Sequence, residues 1–194
     1  MNRLTLLLLT AALAGCIVFD KKSEAVAFHQ FANPAAPAAT GGPLVRVARA
    51  TLPASVRRPT VVMIAPAGEV LIDDAHRWAA PLDRLVAECL ARHLERAAGA
   101  TATLQTPEQP HLTLVLEFER FEVVAERRAA LTIDYRFERA DGSALAGGRS
   151  ACVEPMKELS AAEFVAAQSR NLAKAGDAIA ATLRAIPAQR LPSR

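Results

Sequence analysis

The pattern of apolar and polar residues predicts two long amphipathic helices. In residues 80–98 apolar side chains recur at intervals of three and four, the spacing of one helix face, and Gly99 is placed to end the helix. Ser160 and Glu163 have the spacing of a capping box, and the apolar stripe that follows them runs as far as Pro187. The stripe of the first helix consists of Leu82, Leu85, Val86, Cys89, Leu90, His93, Leu94 and Ala97.

Alternating apolar residues between the two helices predict an antiparallel meander. In residues 111–124 the alternation slips by one position, and a β-bulge near residues 119–120 would restore a single buried face. Residues 129–138 alternate without a slip. Asp141 and Gly142 then supply a hairpin turn into residues 144–153. We expect Glu117, Glu119 and Glu122 to lie on the solvated face of the first strand of this meander.

Shorter extended runs precede the first helix. Residues 25–31 and 44–52 are candidate strands, and the uniformly apolar run at 60–65 is typical of a strand buried on both faces. Asp73 and Asp74 are expected to cap the start of the first helix. The element order predicts an α/β protein of the α+β kind, in which a mixed, largely antiparallel sheet is packed by two long helices in a single domain.

The first sixteen residues have the pattern of a bacterial lipoprotein signal. Arg3 supplies a positive charge, and the eleven-residue apolar run at 4–14 follows it. As a helix this run would span about 16 Å, too short for a hydrocarbon core of about 30 Å. We expect cleavage between Gly15 and Cys16, and attachment of diacylglycerol and an N-acyl chain, such as palmitate, to Cys16. The alternative is an ordinary cleaved signal with a coincidental cysteine.

The signal divides the chain into four parts. Residues 1–15 are the predicted signal peptide, 16–24 a lipidated tether, 25–187 the folded domain and 188–194 a flexible tail. The chain has 23 basic and 20 acidic residues, a balance that favours neither nucleic-acid binding nor a polybasic membrane patch.

The sequence contains no recognisable catalytic motif. It contains no GxSxG motif of serine hydrolases, no HExxH motif of zinc proteases, no GxGxxG motif of dinucleotide-binding proteins and no phosphate-binding loop. We therefore expect a protein that is not an enzyme and that uses no cofactor or metal. The four histidines lack ligand-like spacing, and His93 is expected to be a core or border residue. Cys89 and Cys152 could pair or stay free, because connectivity does not follow from sequence.

The single tryptophan of the chain, Trp78, follows Arg77 just before the first helix. Two interpretations stay open. Trp78 could pack against the sheet, as most buried tryptophans do. Alternatively, Arg77 and Trp78 could form a partner contact, since both residue types are enriched at interface hot spots.

Several segments together resemble the ABC-type transport auxiliary lipoproteins of the paraquat-inducible protein C type. They are the Leu-Ala-Gly-Cys segment that ends at Cys16, RVARATLPASVRRPTVV at 46–62, HRWAAPLDRLVAECLARHL at 76–94, EFERFEVV at 117–124 and AAQSRNLAKAGDAIAATL at 166–183. The family's short signatures fall on Leu52, Pro53, Arg58, Pro59, Arg77, Trp78, Pro81 and Leu82. The chain departs from the family pattern at Ala80, where an acidic residue is usual, and at Phe28 and Phe31, where tyrosines are usual.

The resemblance implies a non-enzymatic accessory component of an intermembrane lipid transport system with MCE-domain proteins. Because Ile17 rather than Asp follows Cys16, the family rule implies a lipid anchor in the periplasmic face of the outer membrane. There the domain would dock the periplasmic transport assembly. Whether it does so as a monomer or as a homo-oligomer does not follow from the resemblance. One alternative is a periplasmic lipid-binding lipoprotein that carries cargo itself. Another is a pore-forming or secretion lipoprotein.

Overall fold

A computed structural model describes residues 25–32, 41–125 and 127–191 of the 194-residue chain. The predicted signal peptide, the cleavage site between Gly15 and Cys16, and the tether lie outside the described residues.

Eight strands and two α-helices make up the described part of the chain. In chain order they are β1 (Ala27–His29), β2 (Leu44–Val47), β3 (Thr60–Ile64), β4 (Val70–Trp78), α1 (Leu82–Ala98), β5 (Thr101–Thr103), β6 (Leu112–Val124), β7 (Arg128–Glu138), β8 (Ala144–Pro155) and α2 (Ala161–Ala185). Short 3₁₀ turns occupy Ala54–Val56 and Ala188–Arg190. The sequence did not predict β5.

The strands form two mixed sheets. The smaller has the order β1-β4-β3, and the larger has the order β5-β2-β6-β7-β8. β1 runs parallel to β4, and β2 runs parallel to both β5 and β6, whereas the remaining pairs are antiparallel. The predicted α+β class with two long helices is confirmed, although the strands divide between two sheets instead of forming one.

The meander of β6, β7 and β8 follows the predicted alternation. The register of β6 against β7 shifts between Phe118 and Arg120, which confirms the bulge, and apolar residues on both sides of it are buried. Glu117, Glu119 and Glu122 of β6 lie on the outer face, as expected. Glu117 and Glu122 each pair with an arginine at 2.7 Å, and Glu119 pairs with Arg149.

The prediction that Asp73 and Asp74 cap the first helix is wrong. Both lie inside β4, where Asp73 is in register with Val61 of β3. Because β1 pairs with the end of β4, the chain stays extended as far as Trp78. The backbone N–H of Trp78 also donates to the carbonyl oxygen of Pro59 at 2.8 Å. Helix α1 therefore begins only at Leu82.

The capping box of α2 is formed only in part. The Ser160 hydroxyl accepts a hydrogen bond from the Glu163 N–H at 3.3 Å, as predicted. The Glu163 carboxylate accepts from the N–H of Lys157 at 3.0 Å, however, and not from that of Ser160. The second bond thus joins the helix to the start of the loop after β8.

Two buried amides, which the apolar stripe did not reveal, attach α2 to β7. Gln168 Nε2 donates to the carbonyl oxygen of Ala130 at 3.0 Å, and Asn171 Nδ2 donates to that of Ala129 at 2.9 Å. Both side chains are fully buried. Since a buried amide without a partner is costly, these bonds fix the position of the helix along the strand.

The two helices approach each other closely at Gly176. A Cβ atom at this position would lie 2.7 Å from both Cβ and Cγ of His93. His93 is 3% exposed, which confirms its expected place in the core. The absence of a side chain at Gly176 thus permits the contact between α1 and α2.

A cluster of aromatic rings joins the two sheets to α2. The ring of Trp78 lies 5.3 Å from that of Phe31 and 6.5 Å from that of Phe121, and Phe121 lies 5.5 Å from Phe164. Trp78 is 5% exposed, in agreement with the interpretation of this residue as a packing residue.

Both cysteines of the described domain are free thiols. Burial raises the pKa of Cys89 to about 12, whereas Cys152 is half-buried on β8. The expected flexible tail carries the 3₁₀ turn Ala188–Arg190, and Leu191 is packed against the core. Among the described residues, no helix is both long enough and apolar enough to span a bilayer.

We predict that Gly176→Ala lowers the free energy of unfolding by about 1–3 kcal/mol, because the new methyl group would overlap His93. In an uncrowded helix the same exchange stabilises by about 1 kcal/mol, so the sign of the change in unfolding free energy shows whether His93 crowds this position. Urea denaturation measures the change. The reverse exchange at exposed Ala181 controls for helix propensity, and a stabilised Gly176→Ala protein would contradict the close approach.

We predict that a maleimide reagent modifies Cys152 but not Cys89 in the folded domain. The Cys89 thiol is buried and has a raised pKa. The reagent therefore cannot reach it, and the reactive thiolate form is scarce. Mass spectrometry before and after denaturation counts the modified sites. Two protected cysteines that become reactive only after reduction would indicate a disulfide.

Candidate functional site

A groove of about 660 Å³ lies where the end of β4 meets the start of α1. Three segments that the sequence separates form its walls: residues 49–52, 57–59 and 78–83. These segments contain most of the short signatures that carry the resemblance described above. The fold therefore brings separate motifs to one place on the surface.

Backbone hydrogen bonds hold the walls together. The segment after β2 is fixed to β6, because the Thr51 N–H donates to the Leu116 carbonyl at 2.9 Å and the Thr51 carbonyl accepts from the Phe118 N–H at 2.8 Å. The bond from Trp78 to Pro59 joins the other two walls. Pro59 and Pro81 restrict the backbone further, since the proline ring fixes φ.

The floor of the groove is apolar and is continuous with the hydrophobic core. Ala50, Leu52, Trp78 and Leu82 line it, and each of them is buried. The shape of the floor is therefore set by the same contacts that stabilise the domain.

The rim of the groove is cationic. Arg49, Arg57 and Arg58 line it, and Asp83 is the one acidic residue among the lining residues. Arg49 pairs with Asp83 at 3.5 Å, whereas Arg57 and Arg58 form no ion pair with any residue that the structure describes. Ala80, where the family usually has an acid, also lines the groove. Two exposed guanidinium groups are thus available to an anionic ligand.

Arg77 does not line the groove. Successive side chains of a strand point to opposite faces, so Trp78 faces the core while Arg77 faces solvent. In the parallel pairing of β1 with β4, Arg77 lies beside Phe28, which is exposed as well. The predicted Arg77 and Trp78 pair is therefore divided: Trp78 belongs to the groove floor, and Arg77 belongs to the surface formed with Phe28.

The structure brings together two histidines that sequence spacing did not connect. His29 Nε2 and His76 Nδ1 lie 2.6 Å apart, and the rings are stacked at 4.9 Å. Burial and the neighbouring His76 lower the pKa of His29, although the more distant charge of Asp73 opposes the shift. The pair attaches β1 to β4. The two histidines are 47 residues apart in the chain, so the local sequence pattern does not reveal their contact.

The side chains of the groove suit anion binding. The lining residues provide guanidinium donors and apolar contacts but include no cysteine, serine or histidine. Among the described residues no group of three or more histidine, cysteine or acidic side chains could hold a metal ion. Arg49, Arg57 and Arg58 meet only in the folded chain, and the adjacent arginines before Pro59 are the one local signal of this site in the sequence.

Comparison with known proteins adds a family. The family model for the ABC-type transport auxiliary lipoprotein component matches residues 29–180. No curated protein matches the chain. A crystal structure described as an uncharacterized protein is similar at 16% identity, over 81% of this chain and 98% of that one, with a TM-score of 0.69. A Xanthomonas campestris protein of the DUF330 family is similar at 17% identity, over 79% and 92% of the two chains, with a TM-score of 0.63.

At these identities the two crystal structures support the fold alone. The family match covers most of the described domain, including all three walls of the groove. The chain therefore belongs to the family of ABC-type transport auxiliary lipoprotein components.

Proposed function

We propose that this chain is an outer-membrane-anchored accessory lipoprotein that docks the periplasmic assembly of an MCE-domain lipid transport system. The observation that carries the proposal is the convergence of separate family-like segments on one preformed cationic groove. A surface built in this way, without a catalytic group in its lining, is suited to holding a partner.

The groove is rigid before any partner arrives. Leu52, Trp78 and Leu82 in its floor are buried core residues, and hydrogen-bonded backbone forms its walls. Little conformational entropy would therefore be lost when a partner binds, which favours affinity.

The charge of the rim favours an acidic segment of the partner. Arg57 and Arg58 are exposed and adjacent, and each guanidinium can bind a carboxylate through two hydrogen bonds. Charges of this kind steer association and select the partner more than they add affinity. An apolar residue beside the acidic ones would fit against the floor.

The anchor would supply position. Two or more acyl chains on Cys16 would attach the protein to the membrane in an effectively permanent way. The folded domain would then remain close to the outer membrane, where it could hold the end of an assembly that extends from the inner membrane. The proposal assigns transport energy and cargo to other subunits.

The cargo-carrier alternative is favoured by one observation, the apolar floor of the groove. A carrier would retain lipid when purified in mild conditions. Native mass spectrometry of the mature protein distinguishes the two functions, since a docking protein should be free of lipid other than the anchor on Cys16.

We predict that Cys16→Ala abolishes anchor-dependent capture of MCE-domain proteins from crosslinked envelopes, while the domain keeps its thermal stability. Cys16 precedes the residues that the structure describes, and the substitution removes none of their contacts, so the loss would reflect position alone. Quantitative mass spectrometry of the crosslinked material measures capture. Full transport in a Cys16→Ala strain would contradict an anchored role.

We predict that Arg58→Glu lowers capture of the MCE-domain partner by about tenfold, because it replaces an available cation with a repelling anion. The measurement is crosslinking yield from envelopes with equal amounts of anchored protein. Arg92→Glu is the matched control, since Arg92 is exposed on α1 and does not line the groove. Equal yields from both variants would rule out the groove as the docking site.

A further inference from the structure

An exposed aromatic residue lies on the edge strand that begins the domain. Phe28 on β1 is 68% exposed, the most exposed large hydrophobic residue of the described chain, and the preceding Val26 is 41% exposed. An apolar ring so open to water at the edge of a small sheet contributes little to the core. Exposed apolar clusters of this kind are typical of contact surfaces.

The position of Phe28 is fixed by the rest of the domain. β1 pairs with β4 along its whole length, and the hydrogen bond between His29 and His76 strengthens the attachment. The His29 carbonyl oxygen also accepts from the Ala79 N–H at 2.8 Å. The exposed ring is therefore presented in a defined direction and does not belong to a frayed end.

A cation accompanies the apolar side chains. Phe28 is in register with Arg77, and paired residues of neighbouring strands project from the same face of a sheet. Arg77 forms no ion pair within the described part of the chain. Val26, Phe28 and Arg77 together form what we call the β1 face.

The β1 face lies close to the predicted anchor along the chain. Phe28 follows Cys16 by twelve residues, and a fully extended chain of that length reaches at most about 43 Å. The chain from the anchor enters the domain at β1 itself. The β1 face is therefore held at high effective concentration near the lipid surface.

We propose that the β1 face seats on the phospholipid bilayer, with Phe28 among the upper acyl chains and Arg77 at the phosphates of anionic lipids. The inference rests on the proposed lipidation of Cys16 and adds a second, non-covalent contact with the membrane. Elements that lie on a membrane surface commonly bury Trp, Phe and Leu at the boundary between headgroups and acyl chains, and basic side chains are attracted to anionic leaflets.

A second copy of the chain is a less suitable occupant. A stable protein interface buries about 800 Å² on each partner, far more than three side chains provide. A membrane contact can be small, because the acyl chains already supply the attachment and the β1 face has only to set the orientation. The membrane contact would also set the direction of the groove, since Arg77 and the floor residue Trp78 are neighbours in β4.

The test uses the full mature protein purified from membranes and reconstituted in vesicles of phosphatidylethanolamine and phosphatidylglycerol. In a Cys152→Ser background, Phe28→Cys carries an environment-sensitive fluorophore, while buried Cys89 stays unlabelled. Ala144→Cys is the matched control, because it is exposed at the far end of β8 from the aromatic cluster. We expect brominated lipids to quench the label at position 28 at least about twofold more than the control label.

Other outcomes would overturn the proposal. Equal quenching at positions 28 and 144, with mass spectrometry showing lipid on Cys16, would refute the membrane contact and leave the proposed anchor intact. An unmodified Cys16 would refute both. Shielding of position 28 in lipid-free buffer, together with a doubled mass, would assign the β1 face to a second copy. Arg77→Gln should reduce the quenching in anionic vesicles and leave it unchanged in purely zwitterionic ones.

Discussion

The burial of Trp78 against Phe31 and Phe121 is the contact on which the arrangement of the molecule depends. It joins the end of the small sheet to the centre of the large one. Phe121 also packs against Phe164, which extends the cluster to α2. Since an indole ring removes a large apolar area from water, this position determines which face of β4 points inward. The direction of every neighbouring side chain in that strand follows from it.

The groove and the core share residues, and this limits how the groove can vary. Leu52, Trp78 and Leu82 support the domain and also form the floor, so substitutions there would alter stability and shape together. The rim differs, because Arg57 and Arg58 are exposed and unpaired among the described residues. Substitutions at the rim can therefore change the charge of the groove while its floor stays constant.

Sequence predicted the elements whose signals are local and failed where distant segments meet. The stripes of α1 and α2 and the slip near Phe118 were visible, because helix and strand periodicity depend only on neighbours in the chain. The division into two sheets depends on β1 pairing with β4, which no periodicity reveals. Asp73 is in a strand because it pairs with Val61 of β3, and the groove's three walls likewise meet only through tertiary contacts.

Strand β4 places two different surfaces back to back. At Trp78 it contributes to the floor of the groove, and one residue earlier, at Arg77, it contributes to the β1 face. Adjacent residues of one strand cannot rotate independently, because the ladder of hydrogen bonds on both sides fixes the backbone. Whatever holds Arg77 in place consequently sets the direction of the groove as well. Through this short connection, the proposed membrane contact at Arg77 would orient the groove and the partner that we propose for it.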